Sequence, residues 1–220
     1  MAKRIGVLLA GCGYLDGAEI HEATLTLYFL DKAGAEIITM APNKPQADVV
    51  DHQQGAPTEG ETRNVFTESA RISRGNLRDV AEVKASELDA LVIPGGFGAA
   101  KNLCTFAMDG PNCSVDPGVE KLVKAMHGAK KPIGALCIAP ALIARVLGPD
   151  FNVEVTIGND AGTAEAIGKM GGQHADRTVD DIAVDEKNRV VTTPCYMLGP
   201  GPAAVGAGIE KLVGKLLAWL

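Results

Sequence analysis

The stretch Gly134-Ala135-Leu136-Cys137-Ile138-Ala139-Pro140 joins a short apolar run to the start of a helical pattern. The apolar run, residues 132–136, is typical of a buried strand, and Pro140 suits the first turn of a helix, where its missing N–H costs nothing. Small residues stand two positions before and two positions after Cys137, as a tight strand-to-helix turn requires. Such a turn would present the Cys137 thiol at the positive end of a helix dipole, which favours the thiolate. The alternative is a buried structural cysteine, and position alone does not separate the two.

Short apolar runs alternate with helical patterns on both sides of this stretch. We predict strands over residues 5–10, 36–41, 88–93 and 132–136, helices over about 18–32, around 119–126 and over 209–220, and a hairpin of 182–185 with 190–193. Continuously apolar strands separated by helices indicate a mainly parallel sheet covered on both faces, so the fold class is α/β. Reactive groups in such folds lie at the carboxyl ends of the strands.

The composition limits the class of protein. The chain has 220 residues, of which 46% are hydrophobic and 22% are charged, and its net charge is −6. This length and hydrophobic content suit a single folded domain over residues 1–220 and exclude a disordered chain. The acidic excess disfavours nucleic-acid binding, which needs a basic surface. Residues 43–80 carry many charges and few apolar runs, and we interpret them as a charged excursion or lid on the sheet.

The cysteines and histidines are scattered. Five cysteines form no CxxC pair, and four histidines are spread along the chain, which indicates neither a disulfide framework nor a metal site. Residues 5–10 are too short for the apolar core of a signal peptide, and no apolar run is long enough to span a membrane. We therefore predict a cytoplasmic protein that needs no metal, cofactor or membrane.

Two acidic residues follow the first predicted strand and are candidates for moving protons to and from the cysteine. Glu19 and Glu22 are three residues apart at the start of a helix, so they share a face. A nucleophilic cysteine needs such a neighbour, although acids in a first helical turn are also good partners for the helix dipole. His21 lies between them in sequence and is expected to point elsewhere.

Paired glycines, Gly95 and Gly96, follow the third predicted strand. Glycines at such a position let backbone N–H groups turn toward a substrate oxygen. We predict Gly95, Gly96 and Ile138 as oxyanion or substrate-binding residues, and the N–H groups of Gly96 and Ile138 would together make an oxyanion hole. A tight turn that needs a positive φ is the simpler alternative.

Several stretches together resemble the PfpI / Parkinsonism-associated deglycase superfamily, whose fold is that of class I glutamine amidotransferases. Within it, the sequence is most similar to ElbB-like ("enhancing lycopene biosynthesis") proteins, which carry an amidotransferase-like domain. The matching stretches are spread over nearly the whole chain and comprise residues 11–13, 16–23, 61–65, 94–103, 135–140 and 191–194.

The resemblance implies a flavodoxin-like three-layer sandwich with a mainly parallel central sheet. It also implies a Cys137 nucleophile with a carboxylate partner, which falls on Glu22 when counted back from Gly34, with Glu19 as the second choice. Some ElbB-like proteins are described as glyoxalases that convert dicarbonyls to hydroxy acids without a cofactor, whereas other superfamily members are deglycases, proteases or chaperones. A homodimer is expected by the same analogy.

The sequence departs from the superfamily where several branches carry histidine. Ile138 stands directly after the cysteine, and residues 156–158 contain no histidine that could complete a triad. A Cys-His-acid triad is therefore not expected, which disfavours glutaminase or protease activity. The function implied is a weak, cofactor-independent glyoxalase-like lyase acting on a small carbonyl substrate. A cysteine-based redox sensor or binding module is the alternative.

Overall fold

The computed structural model describes residues 2–220, within which the chain forms eleven strands and eight α-helices. The strands are β1 (Arg4–Leu8), β2 (Glu36–Ala41), β3 (Val50–Asp51), β4 (Ala56–Pro57), β5 (Arg78–Asp79), β6 (Ala90–Ile93), β7 (Ile133–Leu136), β8 (Glu154–Val155), β9 (Gln173–His174), β10 (Ala183–Asp185) and β11 (Val190–Thr193). The helices are α1 (Ile20–Lys32), α2 (Val65–Ile72), α3 (Phe97–Lys101), α4 (Phe106–Asp109), α5 (Pro117–Gly128), α6 (Ala139–Phe151), α7 (Ala161–Lys169) and α8 (Pro202–Ala218).

A seven-stranded sheet forms the centre of the molecule, in the order β10-β11-β7-β6-β1-β2-β5. All neighbouring pairs are parallel except β10 with β11, which form the predicted antiparallel hairpin. Every residue of β6, β7 and β11 is buried, as expected for strands covered on both faces. Helices α1 and α8 pack against each other, as do α5 and α6, so the α/β fold is a three-layer sandwich of the flavodoxin-like, class I glutamine amidotransferase-like type. The predicted fold class is confirmed.

The predicted elements of the sheet agree with the structure apart from their ends. Strand β2 has the predicted bounds, whereas β1 stops at Leu8, β6 begins at Ala90, and α8 begins at Pro202, ahead of its regular apolar repeat. Helix α1 begins at Ile20 because the Glu19 side chain accepts a hydrogen bond from the Glu22 N–H at 2.7 Å, which caps the helix. Gly34 has a φ of +74° directly after this helix, as its predicted role in ending it requires.

Residues 43–80 hold more regular structure than their charged sequence suggests. They contain the β3–β4 hairpin and α2, and β5 joins the edge of the central sheet through the pairing of Arg78 with Met40. Helix α2 buries Glu68, whose carboxylate lies 2.9 Å from Arg71 Nε. This pairing explains how a charged segment can pack against the body of the domain. No helix within residues 2–220 combines the length and apolar character needed to cross a lipid bilayer.

The close approach of α8 to the sheet depends on Gly134 in β7. A Cβ added at this position would lie 2.9 Å from Leu212 Cδ2 and 3.2 Å from Leu216 Cδ1, both on α8. We expect Gly134→Ala to lower the free energy of unfolding by about 1–3 kcal/mol because the methyl group overpacks this interface. Urea denaturation measures the change.

Gly214→Ala is the matched control, since it also adds one methyl group to a glycine of this layer. Gly214 is exposed on α8, and a Cβ there meets no atom within 4 Å. The variant should be more stable by up to about 1 kcal/mol through helix propensity. Equal effects of the two substitutions would contradict the packing argument.

Candidate active site

Cys137 occupies a strained turn between β7 and α6. Its φ is +59°, in the left-handed region that residues other than glycine rarely adopt. The turn is held by a hydrogen bond of 2.9 Å from the Cys137 N–H to the carbonyl of Thr193, at the end of the neighbouring strand β11. A strained backbone at the carboxyl end of a buried strand is a common feature of functional sites.

Gly95, at the end of β6, lies directly against Cys137. A Cβ at position 95 would overlap the Cβ of Cys137 and would lie 2.7 Å from Glu22 Oε2. The absence of a side chain at this position therefore allows the thiol and the carboxyl group to meet. The sequence pointed to Gly95 as part of an oxyanion hole, whereas the structure places its N–H on Glu22.

Glu22 is fully buried in the first turn of α1. Its Oε2 accepts a hydrogen bond of 2.9 Å from the Gly95 N–H, and its Oε1 accepts one of 3.2 Å from the Tyr196 N–H. The carboxyl group is also hydrogen-bonded to the Cys137 thiol. The first-choice carboxylate partner thus contacts the cysteine.

The two acidic groups of this pair are both held toward their protonated forms. Burial raises the pKa of Glu22 from 4.5 to about 7, and the nearby charge of Glu19 adds to the shift. Burial also raises the pKa of the Cys137 thiol well above its usual value, and the carboxylate of Glu22 raises it further. Near neutral pH the pair therefore holds at least one proton between sulfur and oxygen.

This environment corrects the expectation of an exposed, acidified thiol. Cys137 is only 7% exposed, and its pKa is raised, because desolvation and the Glu22 charge outweigh the helix dipole. While Glu22 is ionised, the thiol therefore stays protonated at neutral pH, and Glu22 is the group placed to accept its proton during a reaction. A sensor that depends on an exposed thiolate at this position is correspondingly disfavoured.

The N–H groups of Gly96 and Ile138 both form hydrogen bonds with the Cys137 sulfur, and both favour the thiolate. Gly96 has a φ of +91° and forms the start of α3, while Ile138 directly precedes α6. The two predicted donors of an oxyanion hole therefore converge on the reactive atom. A negative charge that develops on or beside this sulfur would meet both N–H groups.

Glu19 lies in the wall of the site but has a different role from Glu22. Its side chain caps α1, its N–H donates to the Gly95 carbonyl at 2.9 Å, and its Oε1 lies 3.9 Å from His21 Nδ1. Its charge contributes to the raised pKa of Glu22. Of the two candidate acids, Glu22 is the one in contact with the thiol.

A pocket of about 400 Å³ opens above the cysteine. Its wall is mainly apolar and includes the rings of Tyr14, Phe97 and Phe106. Polar groups in the lining are few, among them the Glu19 and Tyr196 side chains. A concave, apolar site with a small number of converging polar groups is typical of small-molecule binding.

Two residues near the pair were not found from the sequence. Tyr196, in a short 3-10 turn after β11, holds Glu22 through its N–H, and its hydroxyl lies 2.7 Å from His21 Nδ1. Cys195 is fully buried with a φ of +46°, and burial and the Glu22 charge raise the pKa of its thiol well above the usual value. Both residues could have been predicted from their position directly after β11, the strand that lies beside β7 in the sheet.

Cysteine, histidine and acidic side chains do not assemble into a metal site in the part of the chain that the structure describes. Among residues 2–220, no three such side chains are grouped in a way that could hold an ion.

The raised pKa of Glu22 predicts a pH-dependent stability. Between about pH 4.5 and pH 7 the unfolded chain releases this proton while the folded chain keeps it, so stability falls as the pH rises through this window. The full loss is up to about 3 kcal/mol and is complete above the folded pKa. Glu22→Gln should remove this dependence, which urea denaturation at several pH values would measure against wild type. Glu120→Gln, on the partly exposed side of α5, should retain the wild-type slope.

The same pair predicts how fast the thiol reacts. Glu22→Gln removes the charge that raises the Cys137 pKa, so iodoacetamide should alkylate Cys137 several-fold faster in the variant at mildly alkaline pH. Mass spectrometry of the labelled peptides gives the rate. Cys12 serves as an internal reference because the charges around it belong to other residues. An unchanged or slower rate at Cys137 would contradict the coupling.

Comparison with solved structures supports this arrangement of elements. The crystal structure of an isoprenoid biosynthesis protein with an amidotransferase-like domain from Ehrlichia chaffeensis superposes with a TM-score of 0.91 and 40% sequence identity, covering 99% of this chain and 100% of that one. A likeness of this extent covers both the sheet and the loops of the site.

Two curated relatives are longer than this chain. Glutamine amidotransferase-like class 1 domain-containing protein 3, mitochondrial, from Homo sapiens is 49% identical over 98% of this chain and 83% of its own length. ES1 protein homolog, mitochondrial, from Rattus norvegicus is 48% identical over 97% of this chain and 83% of its own length. The prediction of a cytoplasmic location is wrong in the light of these mitochondrial relatives. The prediction relied on the scattered cysteines, and unpaired cysteines indicate a reducing environment without identifying the compartment.

The family follows from a match along most of the chain. The model of the DJ-1/PfpI family matches residues 7–194, a range that contains Glu22, Gly95, Gly96, Cys137 and Ile138. Together with the relatives and the fold, this match shows that the chain belongs to the DJ-1/PfpI family.

Proposed function

We propose that this protein is a cofactor-independent, glyoxalase-like lyase that converts glyoxal-type dicarbonyls to hydroxy acids. The observation that carries the proposal is the fully buried Glu22 carboxyl group, hydrogen-bonded to the Cys137 thiol at the base of a pocket of about 400 Å³. A nucleophile paired with a proton-accepting group whose pKa is about 7 is suited to acid–base chemistry near neutral pH. Within the family, we place the chain in the ElbB-like branch, which its similarity to the isoprenoid biosynthesis protein supports.

The first step adds the thiol to the aldehyde carbon of the substrate. The Cys137 proton passes to the Glu22 carboxylate as the C–S bond forms, and the electron pair of the C=O bond moves to oxygen. The N–H groups of Gly96 and Ile138 face the sulfur, so they are placed to stabilise the oxyanion beside it. The result is a hemithioacetal bound to Cys137.

The second step moves a proton between the two carbons of the substrate. Glu22, once it has given its proton to the oxyanion, removes the hydrogen of the former aldehyde carbon and produces an enediolate. Return of that proton to the adjacent carbon, while the hydroxyl proton of the hemithioacetal passes to the neighbouring oxygen, yields the thioester of a hydroxy acid. The hydrogen bonds from Gly95 and Tyr196 fix the Glu22 carboxyl group during both transfers.

Hydrolysis completes the cycle. Water attacks the thioester carbon, the C–S bond breaks, and the thiol regains a proton. The sum is one dicarbonyl plus one water giving one hydroxy acid. The oxidation of one carbon is balanced by the reduction of its neighbour, so the reaction needs no external oxidant or reductant.

The pocket supports a small carbonyl compound as the substrate. Its volume is large enough for methylglyoxal and for somewhat larger aldehydes, and its wall is mainly apolar. The Tyr196 hydroxyl, in the wall of the pocket, can donate a hydrogen bond to a second oxygen of the substrate. The homodimer expected from the resemblance stays a prediction.

Purified Cys137→Ser and Glu22→Gln should each lose at least about a hundredfold in methylglyoxal consumption, since each removes a group that the proposed steps require. Nuclear magnetic resonance in deuterated water should show lactate with deuterium at C2, as expected when an enediol exchanges its proton with solvent. Cys12→Ser, which changes a cysteine outside the pocket lining, and Glu120→Gln should keep wild-type activity. Wild-type turnover in Cys137→Ser would overturn the proposal, as would the absence of turnover in the wild-type protein.

A further inference from the structure

A second pair of cysteines lies beside the pocket, in a loop that the mechanism does not use. Cys104 forms an isolated antiparallel bridge with Val115, and the next residue, Thr105, donates its N–H to the Ser114 carbonyl at 2.9 Å. Cys113 stands two residues before Val115, on the side of the loop that faces Cys104. The two side chains are neighbours, since each thiol shifts the pKa of the other as its hydrogen-bond partner, and the Cys104 Sγ also lies 3.3 Å from the Ala99 carbonyl oxygen.

The surroundings of the pair make its two sulfurs unequal. The hydrogen bond from Cys104 lowers the pKa of Cys113, and the Arg145 guanidinium, which donates to the Cys113 carbonyl at 2.7 Å, acts in the same direction. The same hydrogen bond and burial raise the pKa of Cys104. Cys113 is therefore the sulfur that becomes a thiolate first, with a protonated thiol beside it.

The pair lies beneath a thin and exposed segment. Cys104 is 3% exposed and Cys113 is 0% exposed, but Ala107, Met108 and Asn112 of the intervening loop are all exposed. Helix α4, within this loop, is four residues long and has no side-chain hydrogen bond at its N-terminus. Local opening of so short and weakly capped a helix would admit a small oxidant to the sulfurs.

We propose that Cys104 and Cys113 form a reversible intrachain disulfide when the protein meets a hydroperoxide. The Cys113 thiolate attacks one peroxide oxygen, the O–O bond breaks, and Cys113 becomes a sulfenic acid while the other oxygen leaves as water or an alcohol after protonation. The Cys104 sulfur then attacks Cys113, the S–O bond breaks, and water leaves. Two thiols lose two electrons and two protons, and the hydroperoxide is reduced by the same two electrons.

The disulfide would act on the pocket through the loop that it closes. Phe106 and Ala107 belong to the pocket wall and lie between the two cysteines in sequence. A covalent bond between residues 104 and 113 restricts this loop and so restricts the opening of the wall. The proposal does not rest on the glyoxalase activity, because neither sulfur takes part in it.

The other cysteines are less suited to this reaction. The pKa values of Cys137 and Cys195 are both raised well above the usual range by burial and by the charge of Glu22. Cys12 is half-buried, and burial with the charge of Glu68 raises its pKa. Cys113 alone among the five has its pKa lowered.

Peptide mapping of the wild-type protein tests the proposal directly. Trypsin releases residues 102–121 as one peptide that contains both cysteines and no internal cleavage site. After brief treatment with hydrogen peroxide and alkylation without reductant, this peptide should lose the mass of two hydrogen atoms and take up no alkylating agent. Dithiothreitol should restore two alkylatable thiols.

Single substitutions assign the order of the two steps. In Cys104→Ser, the sulfenic acid at Cys113 should persist and react with dimedone, whereas in Cys113→Ser the peptide should stay unlabelled. Oxidation of Cys12 or Cys137 while residues 104 and 113 remain thiols would overturn the proposal. A disulfide between Cys137 and Cys195 in place of the proposed one would also overturn it. The wild-type map decides the matter even where a variant fails to fold.

Discussion

A shared proton between Glu22 and Cys137 is the interaction on which the site depends. Both groups are buried, which raises the pKa of each, and the Glu22 carboxylate raises the pKa of Cys137 further, whereas the protonated thiol stabilises the carboxylate through their hydrogen bond, so the pair is stable only while a proton remains between the two groups. The two N–H groups on the carboxylate and the two on the sulfur reduce the cost of whichever group carries the charge. This balance leaves an acid and a nucleophile available near neutral pH.

The fold brings this pair together by placing the ends of neighbouring strands in contact. Cys137 follows β7, Gly95 follows β6, and Tyr196 follows β11, which are adjacent in the sheet, while Glu22 reaches them from α1. The positive φ of Cys137 and the absence of a side chain at Gly95 are local constraints that this contact requires. The strain of the turn is compensated by the packing of β7 between two buried strands.

The sequence predicted the central strands because parallel strands buried on both faces are continuously apolar. It did not predict α2, since the buried acid Glu68 is paired with an arginine that only the folded chain brings near. Cys137, Glu22 and Gly96 carried local signals in turns and helix starts, whereas Tyr196 and Cys195 are defined by contacts between strands distant in sequence.

The thiol pKa was predicted in the wrong direction. A helix dipole contributes about 0.3–1 kcal/mol, whereas burial can shift a pKa by several units.

The protonation state of Glu22 tests the shared proton most directly. Infrared difference spectroscopy between wild type and Glu22→Gln measures it. A shared proton predicts a carbonyl band of a neutral, buried carboxyl group in the wild-type protein at about pH 6, which fades as the pH passes through about 7. Cys137→Ser should shift this band, because it replaces the group that contacts the carboxyl. A spectrum without a protonated carboxyl band at about pH 6 would contradict the shared proton and the mechanism built on it.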